Sequence, residues 1–212
     1  MPKKESLFDL QFTLLCLSSL LFFTSFNMIV PDMYDYIDSM GGGELKGLII
    51  ALFTVTAGIS RPFSGKLTDT IGRLPVMIFG VAVCVVMGIL YPLVGTVWAL
   101  LLLRFFHGFS TGFKPTATSA YIADTVPAHR RGEAMGYFGL FGSIGMALGP
   151  SIGPYLTQWF GLQWMFYSSS VMALLSILVI IGMKETLADK QPFTPALLKI
   201  KRDEILEPRV FN

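Results

Sequence analysis

Two long runs of the 212-residue sequence, 74–103 and 134–183, contain no acidic or basic side chain. Charged residues make up 14% of the whole chain and apolar types 53%, whereas a soluble domain carries about 25% charged residues. A helix needs about 20 mainly apolar residues to cross a bilayer, so the two runs together are long enough for several crossings. The pattern therefore predicts an integral membrane protein.

Each crossing is predicted to be a helix, because backbone polar groups in lipid must be bonded within the segment. Turn residues interrupt the two uncharged runs at 91–95 and 158–164. The sequence therefore predicts six spans: 8–31, 46–64, 74–93, 96–121, 132–157 and 162–183. We expect an all-α transmembrane domain over 1–183 and a cytoplasmic linker over 184–212, with a short amphipathic helix at 195–206. Because this linker ends abruptly, we expect it to lead to a part that is absent from the chain.

Lysine and arginine lie almost entirely on one side of the predicted spans. If the N-terminus is inside, the inner segments and the tail hold thirteen of them and the outer loops hold only Lys46. The positive-inside rule then places both ends of the chain in the cytoplasm and the spans in the plasma (inner) membrane. The first outer loop, 32–45, is predicted to be acidic and to carry Asp32.

The segment between the second and third predicted spans, 65–73, reads GKLTDTIGR. Gly65 and Gly72 permit a tight turn, Asp69 can accept hydrogen bonds, and Arg73 can pair with a carboxylate or with helix-end carbonyls. An ordinary positively charged inner turn is the alternative interpretation. The segment resembles the G-x-x-x-D-x-x-G-R signature of the major facilitator superfamily. The resemblance implies that this segment belongs to an inner gate.

The fourth predicted span contains Arg104, His107 and Gly108, which resemble the second signature of that family, R-x-x-Q-G, with histidine where glutamine is common. Lys114 follows ten residues later, about 15 Å along a helix. Charges at this depth normally face a cavity or a partner, so we expect a coupling or cavity role for this group. The alternative is that Arg104 and Lys114 extend to the two membrane surfaces.

The fifth predicted span contains Gly145, Gly149 and Gly153, four residues apart, with Pro150 among them. Such a stripe of small residues lets another helix pack closely. It resembles the third signature, G-x-x-x-G-P-x-x-G-G, with Pro154 in place of the last glycine. In the family this signature is associated with antiporters that export compounds.

The three signatures occur in the family's order, so the resemblance covers about 8–185. It implies an N-terminal half of six helices built as a 3+3 inverted repeat, completed by a second six-helix half. It also implies secondary active transport of a small molecule, by proton-coupled efflux. Asn27 and Asp32, at the end of the first span, are the candidates for a cavity or proton site.

Two other classes of function remain open at this point. Residues 108–112 match G-x-S-x-G, but a hydrolase needs a strand before the serine, and an intramembrane serine protease needs a base from another helix. The second class is a non-transporting membrane fragment or assembly subunit. We do not expect an enzyme. A net charge of +2 gives no reason to expect nucleic acid, and the absence of a Cys or His cluster gives none to expect a metal or cofactor.

Overall fold

The computed structural model describes residue 7 and residues 9–199, with residue 196 described by its backbone alone. Over these residues the chain forms helices and no strand, so the predicted all-helical fold class is confirmed. The α-helices are α1 (Leu10–Met28), α2 (Val30–Ser39), α3 (Lys46–Thr70), α4 (Arg73–Leu90), α5 (Val97–Thr125), α6 (Arg131–Phe160) and α7 (Leu162–Ile180).

The first helical segment is longer than predicted. It begins after Asp9, whose carboxylate caps α1 by accepting a 2.8 Å hydrogen bond from the Phe12 amide, and it continues through α2 to Ser39. The prediction of a loop from residue 32 onward is therefore wrong, and Asp32 lies in the first turn of α2. Pro31 does not stop the chain there, because a proline in the first turn of a helix gives up an amide that would have no partner.

The α3 helix also runs further than predicted, to Thr70, so Gly65 and Asp69 lie on a helix end and not in a loop. The turn into α4 is limited to Ile71 and Gly72, where Gly72 has a φ of 122° that favours glycine. In the segment predicted to be a linker, Pro195–Leu198 form a short 3-10 helix. Of the rest of the predicted amphipathic helix, residue 199 is not helical and 200–206 lie outside the described residues.

Four described segments are long and apolar enough to cross a bilayer: Leu10–Ser39, Gly43–Thr70, Arg73–Leu93 and Leu162–Ile180. The remaining long helices, α5 and α6, contain 29 and 30 residues. They are less apolar, because α5 includes Arg104 and Lys114 and α6 is rich in glycine.

The helices pack in a fixed order of neighbours: α3 on α5, α5 on α4, α4 on α7, α7 on α1, and α1 on α6. Serine pairs join α1 to α7, with 2.8 Å between the hydroxyl oxygens of Ser18 and Ser176 and 3.3 Å between those of Ser25 and Ser169. Small residues and hydroxyl bonds of this kind hold helices together where lipid surrounds them.

Candidate functional site

Three polar side chains of α5 are enclosed by the other helices. Arg104, His107 and Lys114 are each exposed by 1% or less, so the structure excludes the alternative that the two cations extend to the membrane surfaces. Arg104 donates from Nε to the Ile49 carbonyl oxygen at 3.2 Å, and its guanidinium carbon lies 4.8 Å from the centre of the Phe53 ring. Its Nη1 atom has no hydrogen-bond partner among the described residues.

His107 connects α5 to α4 and to the turn that follows α4. Its Nδ1 lies 2.9 Å from the Tyr91 hydroxyl and its Nε2 lies 3.3 Å from the Cys84 sulfur. The neighbouring Gly108 allows close packing, because a Cβ atom there would collide with the Phe53 carbonyl oxygen of α3. This signature therefore brings α3, α4 and α5 together around the buried Arg104.

Lys114 lies at the interface of α1, α4 and α5. Its amine donates a 2.6 Å hydrogen bond to the Ser19 hydroxyl and lies 5.3 Å from the centre of the Phe22 ring. Gly80 of α4 makes room for it, since a Cβ atom there would lie 2.6 Å from the Lys114 backbone nitrogen. Arg104 and Lys114 thus contact different helices, α3 and α1.

Arg73 links the ends of three helices at the turn between α3 and α4. Its side chain is only 11% exposed, and its Nε lies 2.9 Å from an Asp124 carboxylate oxygen on α5. Its Nη1 lies 3.2 Å from Asp69 and donates a 2.6 Å bond to the Thr68 carbonyl oxygen, both on α3. The pairing of Asp124 with the signature arginine could not be located from the sequence pattern.

Glu185, just after α7, caps the start of α4. Its carboxylate accepts hydrogen bonds from the amides of Arg73 and Leu74, both at 3.0 Å, and from those of Thr186 and Leu187 at 2.8 and 3.1 Å. Burial alone would raise the pKa of Glu185, but these four amide bonds outweigh it and hold the pKa below the usual range. The sequence pattern gives no sign of this role beyond the place of Glu185 at the end of the last apolar run.

The glycine stripe of α6 packs against α1. A Cβ atom on Gly145 would lie 2.6 Å from the Leu20 carbonyl oxygen, one on Gly149 would lie 2.8 Å from the Met28 nitrogen, and one on Gly153 would collide with the Met28 carbonyl oxygen. Pro150 lies within α6 beside these contacts. The stripe thus lets the two helix backbones approach each other closely.

The two candidates at the end of the first span lie at separate places. The Asn27 side chain donates a 2.8 Å hydrogen bond to the Phe23 carbonyl oxygen of its own helix. The Asp32 carboxylate accepts a 2.8 Å hydrogen bond from the Thr157 hydroxyl, which links α2 to α6.

The G-x-S-x-G match lies in the middle of α5, with no strand before it. The Ser110 hydroxyl donates a 2.7 Å bond to the His107 carbonyl oxygen, and the serine is fully buried. Within the described part of the chain, no group of three or more His, Cys, Asp or Glu residues could hold a metal ion.

Comparison with known proteins gives a consistent result. The sequence profile of the Major Facilitator Superfamily matches residues 15–210. The multi-drug resistance efflux pump PmrA of Streptococcus pneumoniae serotype 4 is 34% identical over 175 residues, which cover 79% of this chain and 43% of that protein. The quinolone resistance protein NorA of Staphylococcus aureus is 26% identical over 200 residues, 91% of this chain and 51% of that protein.

Solved structures share the fold. The human organic anion transporter MFSD10 aligns with a TM-score of 0.77 at 20% identity, over 94% of this chain and 53% of that one. A D-xylose-proton symporter aligns with a TM-score of 0.70 at 17% identity, over 82% and 48%.

The chain spans about half or less of the length of these relatives. Members of this family are transporters, so the prediction that the chain is not an enzyme is confirmed and the protease alternative is excluded. The match over residues 15–210 and the 34% identity to an efflux pump show that this chain belongs to the Major Facilitator Superfamily.

Proposed function

We propose that this chain is the N-terminal six-helix half of a proton-coupled efflux transporter for small molecules. The observation that carries the proposal is its similarity over 79% of its length to a multi-drug efflux pump. The six spans would be the α1–α2 segment and each of α3 to α7, in the plasma membrane, with both ends of the chain in the cytoplasm. Its partners would be a small-molecule substrate, protons, the bilayer and a second six-helix half.

The order of helix packing supports a 3+3 inverted repeat. The neighbours run α3, α5, α4, α7, α1 and α6. In such a repeat the α1–α2 segment corresponds to α5, α3 to α6, and α4 to α7. If each helix is replaced by its counterpart, the packing order becomes the same order read backwards. Each pair of neighbouring helices is therefore matched by an equivalent pair of neighbours. Two repeats related by a pseudo-twofold axis in the membrane plane produce this symmetry.

Arg73 and its partners would form the inner gate. Its bonds to Asp69, Thr68 and Asp124 hold the ends of α3, α4 and α5 together. In the proposed cycle the two halves rock about a central site, so these bonds would be kept in one state and loosened in another. The Gly72 turn would let α3 and α4 move as one hairpin.

The test uses cells without their own efflux pumps, expressing this chain together with its second half. We expect ethidium efflux that a protonophore abolishes. Replacing Arg73 with alanine is expected to slow efflux about tenfold, within the usual range of coupling energies, at unchanged expression. Arg61→Ala is the matched control, because it removes an exposed cation from the same helix hairpin and should leave the rate unchanged.

Any other result of the efflux assay would change the proposed function. Efflux that is indifferent to the protonophore would exclude proton coupling while keeping transport. A well-expressed assembly that moves no substrate would favour a non-transporting membrane protein. Equal rates for the two arginine variants would exclude a gating role for Arg73.

A further inference from the structure

Lys114 is the most unusual side chain in the described part of the bundle. It is 0% exposed, and no carboxylate among the described residues forms an ion pair with it. Lysine is almost never fully buried unless it is paired, and ionisable groups inside a membrane are by default functional. The gate proposed above does not use it.

The hydrogen bonds of Lys114 suit an amine better than an ammonium. An ammonium has three N–H donors, whereas the Lys114 nitrogen has one acceptor, the Ser19 hydroxyl oxygen at 2.6 Å. The Ser19 hydroxyl hydrogen is already donated to the Leu15 carbonyl oxygen at 2.8 Å. Protonation of the amine would therefore place a positive charge in a closed site. The additional N–H donors would have no hydrogen-bond acceptor among the described residues, and burying such groups is costly.

Among the described residues, the groups around Lys114 offset such a charge only weakly, through a cation–π contact with the Phe22 ring, whose centre lies 5.3 Å from the amine. Among the described residues, α1 contributes the thiol of Cys16 and α4 the thiol of Cys84, and thiols are weak hydrogen-bond acceptors. On the α3 side, the uncharged Ser64 hydroxyl donates to the Gly112 carbonyl oxygen of α5, two residues before Lys114. On α5 itself His107 and Arg104 lie two and three turns away, and the arginine charge would repel an added proton.

We propose that the Lys114 amine is the proton-binding group of this half, and that its protonation drives α1 away from α4 and α5 until water reaches the nitrogen. The proposal rests on the proposed function, since it names the site through which a proton gradient would act. The proton moves from water to the amine lone pair and returns to water, and no other bond changes. A ligand shifts a conformational equilibrium by its difference in affinity for the two states. Here the ligand is the proton, and the closed interface disfavours the ammonium, so protonation favours the open state.

Cys16 provides a native reporter of this opening, because it lies on α1 beside Lys114 and is only 1% exposed. The purified chain in lipid nanodiscs is treated with a water-soluble methanethiosulfonate at pH 8 and pH 6, and peptide mapping gives the labelling rate of Cys16. Wild type is compared with Lys114→Met at each pH, so that the intrinsic pH dependence of thiol reactivity cancels. We expect the ratio of wild type to variant to rise at least about threefold at pH 6 through the population shift.

Two further variants keep the test decisive. Lys114→Gln, which can still bond to Ser19 without carrying a charge, replaces Lys114→Met if the methionine variant does not fold, and it should behave in the same way. Lys184→Met removes an exposed amine just after α7 and should behave as wild type. The proposal is overturned if the ratio of the wild-type labelling rate to the Lys114→Met rate is the same at both pH values. It is also overturned if the ratio of wild type to Lys184→Met rises at pH 6 by as much as the ratio of wild type to Lys114→Met.

Transport separates this proposal from the proposed function. In proteoliposomes that contain this chain and its second half, Lys114→Met should lose accumulation driven by a proton gradient but keep exchange of labelled for unlabelled substrate. A merely structural role would lower both rates. If wild type transports without proton coupling, the proposed function fails on that point, and Cys16 labelling still decides whether Lys114 binds the proton.

Discussion

Replacing Glu185 with alanine is expected to release the segment after α7 from the start of α4. The carboxylate accepts two hydrogen bonds, both 3.0 Å long, from the first amides of α4, and two more within its own turn. Loss of a helix cap costs about 0.5–2 kcal/mol, and bonds to a charged acceptor lie at the upper end of hydrogen-bond energies. Because the site is half-buried and water can replace part of the loss, we expect a local cost of about 2 kcal/mol.

Hydrogen exchange measured by mass spectrometry tests this value directly. A cost of about 2 kcal/mol corresponds to about 30-fold faster exchange of the amides in 70–76, a region that opens locally. Glu185→Gln, which keeps one carbonyl acceptor, should fall between wild type and alanine. Glu133→Ala removes an exposed acid at the start of α6 and should leave this segment unchanged. Equal protection in wild type and Glu185→Ala would refute the capping role.

The effect of Glu185→Ala on hydrogen exchange is expected to depend on pH, with a definite sign. The folded pKa of Glu185 lies below its usual range, so its contribution is complete above the unfolded pKa of about 4.3 and is lost as the pH falls through the folded value. After correction for the intrinsic exchange rate, the difference between wild type and Glu185→Ala should shrink below about pH 4. A difference that persists in acid would contradict the assignment of the effect to the ionised carboxylate.

Other predictions concern packing and surface charge. Gly149→Val should lower the free energy of unfolding by at least about 2 kcal/mol, because the new side chain would meet the backbone of α1. Gly139→Val, on the open side of α6, should cost little. Similar melting temperatures for the two variants would argue against the close contact. His107→Leu leaves the buried Tyr91 hydroxyl without its histidine partner and should cost about 1–3 kcal/mol, measured in detergent by thermal unfolding, while His107→Gln should recover part of the loss. Lys46→Ala breaks an ion pair whose side chains are 37% and 54% exposed, and a change in stability above about 1 kcal/mol would be unexpected.

The apolar helices could be predicted from the sequence because the bilayer imposes a length and excludes charge. Their ends could not, because residues beyond the lipid have no hydropathy signal. The polar end of α3 reads as a loop, yet Asp69 lies on the helix. The acidic segment of α2 is predicted to be a loop for the same reason, although it lies on a helix that begins at Val30 and has Pro31 in its first turn.

The sequence pattern points to Arg73 and Lys114, but not to the residues that contact them. The first signature contains Arg73, and Lys114 stands out as a second charge deep in the fourth predicted span. The contacts of Arg73 with Glu185 and of Lys114 with Gly80 join positions far apart in the chain. Such contacts depend on how the helices pack, and a single sequence contains no periodicity that reports it.

The position of α1 has a consequence for biosynthesis. Its main neighbours are α6 and α7, and the α7 serines that bond to it are synthesised 144 and 158 residues later, or about 7–30 s at typical ribosome speeds. During that interval its buried serines, Ser18 and Ser25, lack the α7 partners that they have in the finished bundle. The nascent first helix therefore has to wait in the insertion machinery or alone in lipid, and mutations of these serines would act on membrane insertion before they act on the folded protein.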